Sequence, residues 1–236
     1  MMHDVFADRD EAGVLLARSA AARRWPGRCV VLALPRGGVP IGAAVARALH
    51  APLDLLLVRK IGAPGQPELA VAAVVEGTPP QLIVDETICG TLGVDRRHLQ
   101  TRMAEELLEI ERRRQVYLRG RPPVDVAGAT AIVVDDGIAT GTTVRAALRA
   151  LRQRGPRRLI LAVPVAPEDT LAALRSEVDE IVCLRTPSPF HAIGQHYGDF
   201  HQVSDREVIE ALDSLAPAAA TGLPVAPPSG SQPTCR

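Results

Sequence analysis

Short apolar segments recur along this chain, and most of them are followed by a segment with helical periodicity. The segments RCVVLALP, LDLLLVRK, TAIVV, RRLILAVP and VDEIVCLRT have the length and the branched side chains of buried strands. Helical patterns lie between them, for example VPIGAAVARALH and TTVRAALRALRQRG. A strand–helix–strand order of this kind places successive strands in parallel within one sheet. The sequence therefore predicts an α/β protein built on a parallel sheet.

Composition limits the class of protein and the partners. The chain has 236 residues, of which 47% are hydrophobic, so it can bury one substantial core. Its formal net charge is zero, which argues against nucleic acid or an anionic membrane as a partner. The four cysteines are scattered and form no CxxC pair, so neither a zinc site nor a disulfide framework is indicated. Because the first residues form no apolar leader and no apolar run approaches a membrane span, we expect a cytoplasmic protein.

We expect one domain over residues 1–215, followed by a disordered tail. The tail, residues 216–236, is rich in Pro, Ala, Ser and Gly and shows no periodicity. Inside the domain, LAVAAVVEG and QLIVD indicate a hairpin of two strands. The turn-rich segment IGAPGQPE before them indicates an exposed, mobile loop from Gly62 to Glu68.

A long amphipathic helix is expected over about residues 95–119, as an insertion in the strand–helix alternation. Glu109 and Arg113 are spaced to pair along its surface. Two roles are open for this helix, a lid over a binding site and a contact in a homodimer. The apolar residues near one of its faces are Leu99, Met103, Leu107, Ile110 and Tyr117.

The stretch AIVVDDGIATGTT ends a predicted strand with two acids and opens the next helix with glycine and threonine. In a parallel sheet, ligands bind at the carboxyl ends of strands, which is where Asp135 and Asp136 lie. The N–H groups at the start of a helix, with the hydroxyls of Thr140, Thr142 and Thr143, suit a phosphate. Carboxylates accept hydrogen bonds from ribose hydroxyls and help to hold a hydrated Mg²⁺. The stretch therefore indicates a sugar-phosphate site, and it lacks both the P-loop lysine and the dinucleotide-binding GxGxxG pattern.

Two motifs resemble those of the type I phosphoribosyltransferases. VVDDGIATGTT is similar to the signature by which that family binds phosphoribosyl pyrophosphate (PRPP), and LPRGG is similar to the family's pyrophosphate loop. The resemblance extends over about residues 29–184. It implies a parallel-sheet core of the type I phosphoribosyltransferase kind, with a small hood and the long helix inserted. It also implies a non-proline cis peptide bond in the pyrophosphate loop, here between Pro35 and Arg36.

The resemblance assigns roles to the residues of the two motifs. Asp135 and Asp136 are implied to bind the ribose hydroxyls and, through water and substrate, Mg²⁺ as the cofactor. Arg36, with Gly37 and Gly38, is implied to bind the pyrophosphate. The residues implied to hold the 5′-phosphate and the nearby substrate are Ala139, Thr140, Gly141, Thr142 and Thr143.

Arg59 and Lys60 end the strand that precedes the turn-rich loop. Lys60 is the only lysine in a chain with 27 Lys and Arg residues. By the resemblance, the loop closes over the site and these two cations face the departing pyrophosphate, with Lys60 and Arg36 as catalytic residues. The alternative is that Lys60 is an exposed lysine with no catalytic role.

The acceptor site is expected in a small hood over about residues 186–203. Tyr197, with Phe190 and Phe200, is available to stack on an acceptor ring, and Asp199 to accept a hydrogen bond from it. The alternative is that these aromatic rings only pack the hood against the sheet. Ala139 stands where the 6-oxopurine branch of the family has an acid, which disfavours hypoxanthine or guanine as the acceptor.

The implied reaction is displacement of pyrophosphate from C1 of PRPP by a nitrogen nucleophile. PRPP and a small-molecule acceptor are then the partners of an Mg²⁺-dependent transferase. Two other functions are open: a PRPP-sensing protein without catalysis, and a structural or interaction role carried by the long helix. The presence of Arg36, Lys60 and both acids favours the transferase.

Overall fold

The structure, a computed structural model, describes residues 5–77 and 79–215, except for the side chain of Glu68. The predicted disordered tail and Cys235 lie outside the described residues. The helices and strands in chain order are α1 (Arg9–Ala22), β1 (Cys29–Ala33), α2 (Gly38–Leu49), β2 (Leu53–Leu55), β3 (Val58–Ala63), β4 (Gln66–Val75), β5 (Gln81–Val84), α3 (Glu86–Leu92), α4 (Arg96–Leu118), β6 (Thr130–Val134), α5 (Thr142–Gln153), β7 (Arg158–Val165), α6 (Glu168–Leu174), β8 (Glu180–Arg185) and α7 (Asp205–Asp213).

A five-stranded parallel sheet organises the fold, as the strand–helix alternation predicts. The strand order is β2-β1-β6-β7-β8, and every neighbouring pair is parallel. Helices α1 and α2 pack on one face, and α5 and α6 pack on the other. Because helices cover both faces, the strands carry unbroken apolar sequences, and β6 is buried at all five positions. The carboxyl ends of β1 and β6 reach the same edge side by side.

The prediction of a single strand for LDLLLVRK is wrong, because the segment divides between two sheets. β2 lies at the edge of the parallel sheet, and β3 belongs to a second, antiparallel sheet of order β3-β4-β5. Leu56 and Leu57 lie between the two strands and are 0% and 2% exposed. These leucines pack in different clusters as the chain passes from one sheet to the other. The apolar run of residues 55–58, where the break falls, has no alternation from which the break could be predicted.

The hairpin of LAVAAVVEG and QLIVD is confirmed as β4 and β5, and the segment before it is more regular than predicted. Ala63 and Gln66 face each other at the end of a β3–β4 hairpin, so Pro64 and Gly65 form the turn. Gly65 has a φ of +73°, which glycine adopts without strain. The segment predicted as an irregular loop is therefore the tip of a hairpin.

The predicted long helix is confirmed as α4. Asp95 caps it by accepting a hydrogen bond from the His98 N–H, and Glu109 pairs with Arg113 at 2.7 Å, as their spacing predicts. α4 packs against the antiparallel sheet and α7. The seven-residue helix α3 is not predicted, because ETICGTL is short and contains a central glycine. None of the helices in the described ranges has the length and apolar character needed to cross a membrane.

Candidate active site

The two motifs meet at the carboxyl edge of the parallel sheet. Ala33 at the end of β1 pairs in register with Val134 at the end of β6. One residue later, the Leu34 N–H donates to the Val134 carbonyl at 2.9 Å. The segments LPRGG and DDGIATGTT continue directly from these two strands. They therefore lie next to each other, although about 100 residues of sequence separate them.

Gly37 and Gly38 allow the LPRGG segment to pass directly over the acids. A Cβ on Gly37 would overlap Asp136 Oδ2, and a Cβ on Gly38 would lie 2.7 Å from the Val134 carbonyl oxygen. Gly37 has an ordinary φ of −60°. Close approach of the two segments, and not backbone conformation, therefore requires glycine here.

We expect Gly37→Ala to destabilise the fold, because the added methyl group overlaps a buried carboxylate. Overpacking costs about 1–3 kcal/mol, and the free energy of unfolding in urea should fall by that amount. Gly90→Ala is the matched control, since a Cβ there would meet nothing within 4 Å. It lies in helix α3 and should leave stability unchanged or raise it by about 0.5–1 kcal/mol. Equal stabilities of Gly37→Ala and the wild type would contradict this packing.

Asp136 is paired with an arginine from the other end of the chain. Arg9 Nε donates to Asp136 Oδ2 at 2.9 Å, and Arg9 Nη2 lies 2.8 Å from the same oxygen. The side chains of Arg9 and Asp136 are only 9% and 11% exposed. Burial raises the pKa of Asp136, and the hydrogen bond and charge of Arg9 oppose that rise. Asp136 is thus a buried carboxylate whose charge is compensated inside the protein.

Aromatic rings of the predicted hood enclose Arg9. Its guanidinium carbon lies 3.9 Å from the ring centre of Phe200 and 6.0 Å from that of Tyr197. These distances allow cation–π attraction. Arg9 Nη1 also donates to the His201 carbonyl at 2.8 Å. All three guanidinium nitrogens of Arg9 are therefore engaged.

Sequence reasoning misses Arg9. It lies 127 residues from Asp136, so no local motif joins the two. Its one signal is its place as the first residue of α1. The helix dipole disfavours a cation at that end, so an arginine there calls for another explanation.

Tyr197 agrees with the packing alternative, whereas Asp199 stays accessible to an acceptor. Tyr197 is 5% exposed, and its hydroxyl donates to the Asp136 carbonyl at 2.6 Å. Burial and the nearby Asp136 charge raise the pKa of Tyr197. A ring so enclosed cannot stack on an acceptor in this conformation, so Tyr197 packs the hood instead. Asp199 is exposed and accepts a hydrogen bond from the His201 N–H at 2.9 Å.

Asp135, unlike Asp136, has no ion-pair partner among the described side chains. It is partly exposed, and its Oδ1 accepts a hydrogen bond from the Asp136 N–H at 2.9 Å. Within residues 5–77 and 79–215, its Oδ2 accepts no hydrogen bond. Desolvation, followed by the charge of Asp136, raises the pKa of Asp135 well above its usual range. A ligand hydroxyl or a cation beside Oδ2 would compensate this carboxylate.

The donors at this edge fit an Mg²⁺ ion that is held largely by substrate. Among the described residues, no group of three or more His, Cys, Asp or Glu side chains could hold a metal ion by itself. Mg²⁺ commonly takes one or two protein carboxylates and completes its shell with water and substrate phosphates. Within the described residues, Asp135 Oδ2 and Asp136 Oδ1 accept no hydrogen bond, so each acid offers one oxygen for this purpose.

The start of α5 opens onto the same edge. Gly141 precedes the first helical residue with a φ of +73° and supplies no side-chain cap. The first N–H groups of a helix have no partner inside the helix and stabilise an anion. The flanking side chains are exposed at Ala139, Thr140 and Thr142 and partly exposed at Thr143.

Arg36 lies on the solvent side of the LPRGG segment. The peptide bond between Pro35 and Arg36 is cis, as the resemblance implies. Arg36 Nη1 lies 3.4 Å from Asp205 Oδ1, and that oxygen also accepts a hydrogen bond from the Tyr117 hydroxyl at 2.7 Å. The Arg36 side chain is 32% exposed. Its contact with Asp205 is therefore long and open to exchange for a ligand.

Arg59 and Lys60 point to opposite faces of β3, because side chains alternate along a strand. Arg59 Nε donates to Glu106 of α4 at 2.8 Å. The Arg59 guanidinium therefore forms an ion pair that links β3 to α4. Lys60 is exposed and lies opposite Ala73, on the sheet face that packs against α5. Among the described side chains, none forms an ion pair with Lys60. Of the two predicted cations, Lys60 is the more available to a ligand.

A cavity of about 640 Å³ lies beside Thr140 at the start of α5. The carboxylates of Glu168 and Asp169 line it, together with the rings of Phe190 and His191. No Lys or Arg is among the described residues that line it. A second cavity of about 850 Å³ lies at a different place, between α4 and the β4–β5 connection.

The structure is that of an α/β protein in which an acid pair, a tightly packed glycine loop and an open helix start meet at the carboxyl ends of parallel strands. The family model described as the phosphoribosyl transferase domain matches residues 15–197. The chain belongs to the phosphoribosyltransferase family.

Individual relatives agree with this membership. Proteins from two strains of Mycobacterium tuberculosis, each named provisionally as a phosphoribosyl transferase, are 44% identical to this chain over 210 residues. The match covers 89% of this chain and 46% of each relative, so the chain spans about half the length of these curated relatives. The crystal structure of TT1426 from Thermus thermophilus has a TM-score of 0.78 at 39% identity, covering 90% of this chain and 100% of that chain. The predicted family and the predicted fold class are confirmed.

Proposed function

We propose that this chain transfers the 5-phosphoribosyl group of PRPP to a nitrogen-containing small molecule and releases pyrophosphate. One observation carries the proposal: the acid pair, the LPRGG loop and the open start of α5 converge on one sheet edge. These three features suit, in that order, the ribose, the pyrophosphate and the 5′-phosphate of PRPP.

Each part of PRPP has a partner in this proposal. The first-turn N–H groups of α5 and the hydroxyls within residues 140–143 bind the 5′-phosphate. Asp135 accepts hydrogen bonds from the ribose hydroxyls. The backbone of Gly37 and Gly38, with the Arg36 guanidinium, binds the pyrophosphate. Bound Mg²⁺, held by Asp135 and the substrate, would add positive charge beside the leaving group.

The chemical step needs charge stabilisation more than covalent help from the protein. The acceptor nitrogen attacks C1 as the bond from C1 to the pyrophosphate oxygen breaks, through an oxocarbenium-like transition state. Negative charge grows on the departing pyrophosphate, and Lys60 is the cation proposed to neutralise it. The β3–β4 hairpin tip is the segment proposed to close over the site and exclude water, which would otherwise hydrolyse PRPP.

The cavity beside Thr140 is the proposed acceptor site. Glu168 and Asp169 accept hydrogen bonds, so an acceptor with several N–H groups is favoured and a carboxylated one is disfavoured. The Phe190 ring offers an apolar surface for a flat acceptor.

A screen of acceptors tests this proposal. With PRPP and Mg²⁺, we expect an acceptor rich in N–H groups to raise pyrophosphate release above the hydrolysis background, and carboxylated acceptors to leave it unchanged. Glu168→Gln together with Asp169→Asn should raise the KM for that acceptor with little change in the KM for PRPP. If no acceptor raises pyrophosphate release although PRPP binds, the transferase proposal fails.

A PRPP-sensing protein is the second candidate function. It is favoured by the pairing of two of the three predicted cations, Arg36 with Asp205 and Arg59 with Glu106. A binding protein requires the phosphate and ribose contacts but no cation directed at a leaving group. Tight PRPP binding without turnover, unchanged by Lys60→Ala, would support it over the transferase.

A further inference from the structure

The Arg36 side chain has one hydrogen-bonding partner among the described residues, and that partner lies outside the segment that matches the family model. Arg36 Nη1 contacts Asp205 Oδ1 at 3.4 Å, and Asp205 is the first residue of α7. The family model matches residues 15–197, so Asp205 lies beyond the matched segment. Within residues 5–77 and 79–215, Arg36 Nε and Nη2 donate no hydrogen bond. The cation of the LPRGG loop is therefore paired with a carboxylate that the family motifs do not supply.

The position of Asp205 is fixed by contacts that do not involve Arg36. The same oxygen, Oδ1, accepts a hydrogen bond from the Tyr117 hydroxyl at 2.7 Å. Tyr117 is 4% exposed, and a buried hydroxyl that loses its hydrogen bond costs free energy. Val208 of α7 and Val39, which follows the LPRGG loop, belong to one buried apolar cluster. Asp205 is therefore held beside the loop whether or not Arg36 contacts it.

The ion pair between Arg36 and Asp205 can open at small cost. The two side chains are 32% and 52% exposed, and ion pairs that are open to water contribute little stability. Without Arg36, the Asp205 carboxylate keeps its hydrogen bond from the Tyr117 hydroxyl. It also lies in the first turn of α7, where the helix dipole stabilises a negative charge. Arg36 can therefore move away while the Asp205 carboxylate stays in place.

We propose that Asp205 is a positioning residue that holds the Arg36 side chain against α7 in the ligand-free protein and releases it to the pyrophosphate group of the substrate. This inference rests on the proposed function, in which Arg36 binds pyrophosphate. Arg36 then exchanges one carboxylate for a more highly charged ligand, and the contact that is lost lowers the observed affinity for that ligand. The return of Arg36 to Asp205 correspondingly favours the release of pyrophosphate as a product.

Calorimetric titration of the full chain with pyrophosphate and Mg²⁺ tests this exchange. Asp205→Asn keeps the size of the side chain and an oxygen for the Tyr117 hydroxyl, but it removes the charge that attracts Arg36. We expect this variant to bind pyrophosphate about 3–5-fold more tightly than the wild type. Its affinity for ribose 5-phosphate should stay within about twofold, because that ligand has no pyrophosphate group to meet Arg36. A folding defect would not raise the affinity for one ligand alone.

A double-variant cycle shows whether the gain depends on Arg36. Arg36→Met should weaken pyrophosphate binding by about 10-fold, and adding Asp205→Asn to it should then change the affinity by less than about twofold. Simple repulsion between Asp205 and the ligand would instead give the same gain with or without Arg36. Asp213→Asn is the matched control. Asp213 is an exposed acid paired with Arg121 at the other end of α7, so its substitution should leave the affinity for pyrophosphate unchanged.

Two outcomes would overturn the inference and leave the proposed function intact. One is an Asp205→Asn variant that binds pyrophosphate no more tightly than the wild type, because Arg36 would then not have to leave Asp205 in order to bind. The other is an equal gain in the Arg36→Met background, which would make Asp205 a repelling charge and not a positioning residue. A wild-type protein that binds neither pyrophosphate nor PRPP with Mg²⁺ would overturn the proposed function, and this inference with it.

Discussion

The melting temperature of the wild-type protein is expected to rise by about 5–10 °C in PRPP with Mg²⁺, and Asp135→Asn is expected to remove most of that rise. A ligand at 100 times its Kd stabilises a fold by about 2.7 kcal/mol, and about 1 kcal/mol shifts the midpoint of a chain of this size by about 2–4 °C. The substitution keeps the size of the side chain while removing a carboxylate whose Oδ2 accepts no hydrogen bond within the described residues. Differential scanning fluorimetry of each variant with and without ligand measures the rise.

Two controls make this first result specific. Asp125→Asn changes an exposed acid in the segment before β6, far from the carboxyl edge, and should keep the full rise. Ribose 5-phosphate without the pyrophosphate group should give a smaller rise, because the LPRGG loop then has no ligand. A rise that Asp135→Asn leaves intact would show that PRPP binds without the Asp135 carboxylate.

Lys60→Ala is expected to lower turnover by about 10²-fold with the acceptor found in the screen, while the Kd for PRPP changes by less than about threefold. The negative charge on the pyrophosphate increases as the bond to C1 breaks. A cation beside the leaving group therefore stabilises the transition state more than it stabilises bound PRPP. Lys60 suits this role because it is exposed on the face of β3 directed towards α5. Single-turnover kinetics with PRPP in excess separate the chemical step from binding.

Conservative substitution distinguishes a charge effect from a packing effect at this position. Lys60→Arg should retain most of the turnover, and Lys60→Met should behave like Lys60→Ala, because only the charge is required. Full turnover in Lys60→Ala would make Lys60 a surface residue. Arg36 would then be the residue that neutralises the pyrophosphate charge, because its contact with Asp205 is long enough to be exchanged for a ligand.

The parallel sheet and the acid-and-glycine edge were predictable from the sequence because their signals are local. Strands buried on both faces need unbroken apolar runs, and the residues that follow such strands line the edge where ligands bind. The close approach of Gly37 to Asp136, and of Gly38 to Val134, explains why the loop carries two adjacent glycines. The cis peptide before Arg36 followed from the family resemblance and not from a local physical rule.

The features that were not predictable depend on contacts between distant segments. LDLLLVRK carries no polar residue where β2 leaves the parallel sheet, so the break at Leu56 and Leu57 has no mark in the sequence. Arg9 is an ordinary arginine in an arginine-rich chain until folding brings it to Asp136. Tyr197 is the type of residue that often stacks on a ligand ring. In the structure its hydroxyl donates to the Asp136 carbonyl, and its ring packs inside the hood.

A crystal structure determined with PRPP and Mg²⁺ is the most direct test of the proposed site. The account predicts the 5′-phosphate at the start of α5, the ribose hydroxyls on Asp135, and the pyrophosphate along Gly37 and Gly38. PRPP bound in the cavity between α4 and the β4–β5 connection, with the carboxyl edge of the sheet empty, would contradict it.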